Sequence, residues 1–161
     1  MVSEGYRIGV LSDTHGDLLS IESALTRLGS LDALVHAGDY YRDGERLALK
    51  LPIPVIAVVG NCDARRHPLE EIVELAGKKF FVTHGHLYGV KNGTQNLVRE
   101  ARRRRADVIV FGHTHVPVLF SELGMVFVNP GSTHSGRRGA APACSLIIIT
   151  GTQVDVAHFS L

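Results

Sequence analysis

The chain of 161 residues contains no tryptophan, only two cysteines, and 6% aromatic residues. Cys62 and Cys144 stand far apart in sequence, and a single pair cannot staple a domain of this length. A reducing compartment is the default, and the expected location is the cytoplasm. Excess charge of one sign is also missing. The 17 Lys and Arg residues nearly balance 16 Asp and Glu, for a net charge of +1. That leaves no broad electrostatic footprint for nucleic acid or an anionic membrane. Long apolar runs are absent too. The stretch Ile53 to Val59, interrupted by Pro54, has the length of a strand and falls far short of a membrane span. The start, Met1 to Arg7, lacks the apolar core and cleavage site of a signal peptide.

What is present is enough apolar material for a core. Hydrophobic residues make up 45% and charged residues 20%, as in a soluble globular protein, and the length suits a single domain over 1–161. Histidine is plentiful, with nine residues, and its distribution carries the functional argument.

The first third alternates strand and helix signals. Arg7–Leu11, Asp32–His36 and Pro54–Val59 are short apolar runs. Between them, Leu18–Leu28 places Leu18, Ile21, Leu25 and Leu28 at helical spacing behind a capping Asp17, and Asp43–Leu51 reads as a second helix stopped before Pro52. Short apolar strands separated by helices predict a parallel sheet. Glu70–Leu75 and Lys79–Thr83, joined through Ala76-Gly77-Lys78, predict a hairpin. A helix is expected over Asn92–Arg105, its basic end Arg102–Arg105 reading as a solvated terminus that favours the negative pole of the dipole. A buried strand follows at Asp107–Phe111. The last third reads as β throughout, with strands at Val116–Ser121, Met125–Asn129, Ala143–Thr150 and Gln153–Phe159. The fold class is therefore α/β, an α/β half followed by a hairpin-rich half.

Asp13, Asp39, Asn61, His84 and His113 each follow an apolar run by one to three residues. Sites in open α/β sheets form outside the carboxyl ends of strands, so five strand ends delivering metal-capable side chains predict one shared site. The segments are SDTHG (12–16), HAGD (36–39), GNCD (60–63), THGH (83–86) and GHTH (112–115). Singly each is weak: an isolated HxH pair is more often a strand face, His36 reads as a buried hydrogen-bonded side chain, His67 as loop and His158 as a strand face. Together they mix carboxylate, amide oxygen and imidazole, a set that suits manganese, iron, zinc or nickel, with no need for thiolate. Glycines at 38, 60, 85 and 112 let the backbone turn beside crowded ligands. Two cations about 3.5–4 Å apart could clamp a phosphoryl group, with Asp39 placed to be shared.

In this order, and followed by NPGS at 129–132, the segments resemble the calcineurin-like metallophosphoesterases, most of all their small bacterial and archaeal phosphodiesterase-type members. The resemblance runs from about Ile8 to Arg138. It implies a two-sheet β-sandwich flanked by helices in four αββα layers, with the site at one edge. It implies that Asp13, His15, Asp39 and His115 bind one metal and Asp39, Asn61, His84 and His113 a second. Two divalent transition-metal ions are the implied cofactors, manganese first, with iron, nickel or zinc as alternatives. The implied reaction is hydrolysis of a small phosphodiester by metal-activated hydroxide, with a phosphomonoesterase of the same fold as the alternative. Larger phosphatases of the superfamily carry histidine where this chain has Cys62, a weak acid and weak donor, which puts leaving-group protonation in question. His86 is a candidate polar group facing the substrate and equally a candidate partner for a ligand; Asp63 would orient a neighbour; Arg137 and Arg138 could contact phosphate. Asp39, Asn61 and His86 are thus the catalytic candidates, and Asn61, Cys62, His86 and Arg137 the substrate contacts. A scaffold role, as for the retromer subunit of this fold, is the rival from another class, but that subunit has lost ligand types that are all present here. A nuclease role lacks the added DNA-binding domain. Exposed apolar strand faces would allow a homodimer or higher homo-oligomer.

Overall fold

A computed structural model describes residues 4–161, so the leaderless reading of Met1–Ser3 lies outside the described residues. The strands are β1 (Tyr6–Leu11), β2 (Ala33–His36), β3 (Val55–Ala57), β4 (Glu70–Leu75), β5 (Lys78–Thr83), β6 (Val108–Val110), β7 (Pro117–Glu122), β8 (Met125–Pro130), β9 (Ala143–Thr150) and β10 (Gln153–Ser160). The helices are α1 (Leu18–Leu28), α2 (Tyr41–Lys50) and α3 (Gln95–Arg103). Two sheets of five strands form, ordered β10-β9-β1-β2-β3 and β4-β5-β6-β8-β7.

The sequence explains this layering. β1, β2, β5 and β6 bury side chains on both faces, and such strands need cover on both sides. Ile8, Val10, Val35, Phe80, Val82, Val108, Val110 and Ile147 fill the space between the sheets. Leu11, Leu34 and Leu146 turn outward against α1 and α2, meeting Ile21, Ala24, Leu28 and Leu47. Phe81, Ile109 and Phe127 turn outward against Leu97, Val98 and Ala101 of α3. The result is the four-layer sandwich flanked by helices that the resemblance implied.

The division of the chain into two halves does not carry over to the sheets. β9 pairs antiparallel with β1, Ile8 opposite Ile147, so the last hairpin returns to the first sheet. Alternating strand residues cannot reveal which sheet they join. The α1 stripe is Ile21, Ala24 and Leu28, while Leu18 is exposed. Asp17 caps α1 as expected, accepting from Ser20 N at 3.1 Å. α2 begins at Tyr41 rather than Asp43, because a left-handed Tyr40 (φ 67°) turns the chain into it; Tyr40–Gly44 is therefore mostly helix, with Asp43 and Gly44 buried. α3 begins at Gln95 because Gly93 (φ 127°) breaks the chain after a short 3-10 turn at Val90–Asn92. Its basic end is not simply solvated. Arg104 reaches both Glu100, at 2.7 Å, and Glu70, and lies 4.5 Å over the Phe81 ring, locking α3 to β4 and β5.

Ile147 is fully buried between the sheets. Ile147→Ala should lower unfolding stability by about 2–5 kcal/mol, through lost transfer energy plus the cavity left behind. Urea unfolding checks this; a loss under about 1 kcal/mol would mean the sheets close over the gap.

Candidate metal centre

The parallel strands β1, β2 and β3 of one sheet and β5 and β6 of the other each hand over to a loop at their carboxyl end, and those loops carry the side chains singled out above. They are locally strained. Asp13 (φ 52°), His15 (φ 49°), Asp39 (φ 57°), His113 (φ 72°) and His115 (φ 58°) all occupy the left-handed region. That conformation costs a non-glycine residue about 1–3 kcal/mol and persists only where its surroundings over-determine it.

The surroundings are hydrogen bonds between loops. Asp13 N donates to Gly38 O at 2.9 Å and Gly112 N to His84 O at 3.0 Å. The Asp13 carboxylate takes Ser12 Oγ (2.5 Å) and His113 N (3.1 Å) on Oδ2. Ser132 Oγ donates to Asp13 O at 2.7 Å. Asn129 clamps the GHTH turn, donating to Gly112 O and Thr114 Oγ1, each at 3.0 Å. Two glycines stand where only a missing Cβ allows the approach. A Cβ at Gly60 would lie 2.0 Å from Asp39 Oδ1, and one at Gly112 would lie 2.0 Å from Ser12 Oγ. Their role is close contact rather than a sharp turn, since only Gly38 and Gly85 of the four motif glycines have positive φ.

Asp13, His15, Asp39 and His115 bring one ligand atom each within 4.8 Å of one another. Beside them, His84 Nε2 lies 3.1 Å from Asn61 Oδ1, 3.2 Å from His113 Nδ1 and 3.5 Å from Asp39 Oδ1. Asp39 faces both groups, with Oδ2 4.0 Å from His15 Nε2. The imidazoles are oriented from behind. His84 Nδ1 sits 2.7 Å from Ala37 O and His115 Nδ1 2.9 Å from Ser135 O. A carbonyl oxygen only accepts, so each Nδ1 carries the hydrogen and each ring presents its Nε2 inward. Among the described residues, Asp13 Oδ1 and His15 Nε2 are buried with no hydrogen-bond partner. Lone pairs converge here without donors to satisfy them, an arrangement that fits cations.

Burial alone would raise the Asp13 carboxyl, but His115, His84 and Ser12 outweigh it and hold it at about 2. Burial, then the charges of His84 and Lys91, push His113 down to about 4. Both shifts keep lone pairs available at neutral pH.

The remaining candidates lie at the rim. His86 opens a short 3-10 turn, its ring 5.4 Å from that of His84 and 6.1 Å from that of His113. Its Nδ1 is buried without a partner, and burial lowers its pKa. Cys62 is exposed, donates its backbone N to Asp39 Oδ1 at 3.0 Å, and has its thiol pushed up by burial and then by Asp39. Asp63 fixes the GNCD loop to α2, accepting from Gly60 N (2.8 Å) and Tyr41 N (2.9 Å). Arg137 stands apart from the cluster, on a turn whose backbone N donates to His115 O at 3.2 Å. His36 is fully buried and bonded to Thr14 Oγ1 at 2.9 Å, His67 stacks on Tyr41, and His158 pairs with Ser145.

Two contributors escaped sequence reasoning. Asp43, 1% exposed, accepts from Thr14 Oγ1 (2.5 Å) and Gly16 N (2.9 Å), so it holds both ends of the Thr14–Gly16 turn that carries His15. An acidic residue in the first turn of a helix was the only signal. His134, just after NPGS, is held by Asp17 at 3.0 Å with its ring 5.8 Å from that of His15; nothing in its spacing marked it.

The family model of the calcineurin-like phosphoesterase superfamily domain matches residues 6–152. A Bacillus subtilis (strain 168) relative named probable metallophosphoesterase YsnB is 35% identical over 152 residues, covering 93% of this chain and 88% of its own. Phosphodiesterase YfcE of Escherichia coli (strain K12) is 32% identical over 158 residues, covering 82% and 81%. The solved structure of Vacuolar Protein Sorting 29 from Cryptosporidium parvum superposes with a TM-score of 0.78 at 19% identity, covering 99% of this chain and all of its own, a likeness of fold alone. Matched over nearly all of its length, the chain belongs to the calcineurin-like phosphoesterase superfamily.

Proposed function

We propose that this protein is a dinuclear, divalent-metal-dependent phosphodiesterase. The observation that carries the reading is the convergence of one ligand atom each from Asp13, His15, Asp39 and His115 within 4.8 Å of one another, with His15 Nε2 buried and without a hydrogen-bond partner. Asp13, His15, Asp39 and His115 would hold one ion and Asp39, Asn61, His84 and His113 the other, with Asp39 shared between them. Bound there, the ions supply Lewis acidity toward the phosphoryl oxygens and an activated water as nucleophile. Manganese heads the list of suitable metals because the donors are mostly oxygen and imidazole.

The chain's own residues do the rest. Ala37 O and Ser135 O fix the imidazole tautomers, and Asp43 holds the His15 loop. Asn61 Nδ2, turned toward Cys62 Sγ at 3.7 Å, leaves Oδ1 facing His84. His86 lies at the rim, its ring 6.1 Å from that of His113, and is a further imidazole beside the site. The raised Cys62 thiol stays protonated but donates weakly, so the site gives a leaving group little help. That favours activated diesters and agrees with the name of the YfcE relative. The scaffold reading draws on the Vps29 likeness, yet a scaffold has no use for a full set of inward-facing donors.

Protein stripped of metal and reloaded with manganese should hydrolyse bis(p-nitrophenyl) phosphate faster than p-nitrophenyl phosphate, with activity lost on chelation. No turnover of either with any divalent ion overturns the enzyme reading, and a monoester preference overturns the diester reading. Asp39→Ala and His84→Ala should each bind fewer ions by elemental analysis and lose about 10²–10³ in kcat, the scale of removing a transition-state contact. Full activity in both would contradict the ligand assignment. Gly60→Ala should act like a ligand mutation, because its Cβ displaces Asp39, with metal content falling while far-UV circular dichroism is retained.

A further inference from the structure

A second feature lies beside the GHTH loop. Val90, Val116 and Val118 form the floor of a cavity of about 380 Å³, and Lys91, Arg137 and Arg138 stand around it. Thr114, between His113 and His115 in the chain, also lines it, so the cavity adjoins the loop that carries two candidate ligands. None of the three cations forms a salt bridge among the described residues, whereas Arg46, Arg103 and Arg104 are all paired with carboxylates. Three unpaired like charges around one cavity repel each other and raise the local potential, which an anion relieves. The Lys91 charge already reaches His113.

The position of this cationic edge is fixed relative to the centre. Arg137 N donates to His115 O at 3.2 Å, Ala140 N donates to Arg137 O at 3.0 Å, and His115 Nδ1 bonds Ser135 O at 2.9 Å. The 135–140 turn is thus bonded to a candidate ligand on both its backbone and its ring. On another flank, a cavity of about 300 Å³ is lined by Tyr40, Arg42, Arg46 and Cys62 and shares no residue with the first. Its charge is partly compensated, since Asp43 and Asp63 line it too and Arg46 lies 3.7 Å from Asp43.

We propose that the valine-floored cavity binds one ester arm of the substrate, an arm that is part apolar and itself anionic, of the size and chemistry of a phosphorylated nucleoside. The valines take the flat apolar portion, and Lys91, Arg137 and Arg138 take the second phosphate. The smaller cavity takes the leaving arm. The inference rests on the phosphodiesterase reading and sharpens it, because two separate cavities beside one centre suit a two-armed ester.

The test uses manganese-loaded protein and three chromogenic diesters: methyl p-nitrophenyl phosphate, the p-nitrophenyl ester of thymidine 5′-phosphate, and that ester phosphorylated on its 3′ oxygen. The ratio of kcat/KM for the 3′-phosphorylated probe to that for the methyl probe should exceed about tenfold. Lys91→Glu/Arg138→Glu should bring that ratio down at least about tenfold. A ratio near one, or one the double variant leaves unchanged, overturns the proposal. Methyl resonances of Val116 and Val118 read binding without turnover, with thymidine 3′,5′-bisphosphate as the probe. Shifts that the double variant abolishes, in a protein that hydrolyses none of the diesters, keep the subsite and sink the phosphodiesterase reading. Hydrolysis without shifts does the reverse.

Discussion

The carboxylate of Asp13 is the joint on which the architecture turns. It sits at the end of β1 in one sheet and receives the backbone N–H of His113 from the end of β6 in the other. Its own backbone binds Gly38 and Ser132. One side chain therefore ties together loops from both sheets, at the edge where their apolar filling stops. Its second oxygen is left facing His115 at 3.0 Å and His84 at 3.8 Å. The same group closes the sandwich and opens the site, and its depressed pKa keeps it ionised for both tasks.

Behind that joint lies a buried relay that stiffens the first loop. His36 bonds Thr14, and Thr14 donates to Asp43. Burial lowers the His36 pKa, partly opposed by Asp43, so the ring stays neutral and accepts from Gly38 N at 3.3 Å on Nδ1. Within this relay one Asp43 oxygen takes Thr14 and Gly16, while Asp43 Oδ1 is buried without a hydrogen-bond partner, 3.7 Å from Arg46.

Much of this was legible in the chain itself. Apolar runs of strand length marked the strands, and Asp17 marked the start of α1. The loop motifs, taken together, named the side chains that the fold brings within ligand distance. The sheet membership of β9 and β10 was not legible, because alternation reports a half-buried strand and not its neighbour. The start of α2 was placed two residues late because the left-handed Tyr40 that leads into it has no cap signature. Asp43 was missed because its partners, Thr14 and Gly16, are nearly thirty residues away. His86 and Arg137 stand at the rim and beyond it, where residue type alone cannot say what a side chain will touch.

Five left-handed residues on three loops have a consequence for how the molecule opens. Each would relax toward an ordinary backbone conformation if its hydrogen bonds let go, so this edge stores tension while the valine and phenylalanine layers store none. Local opening then starts at the loops and leaves the sheets standing. Amide exchange in the absence of ions would trace this as a soft rim on a hard block, and ion capture would act as the catch that keeps the rim shut.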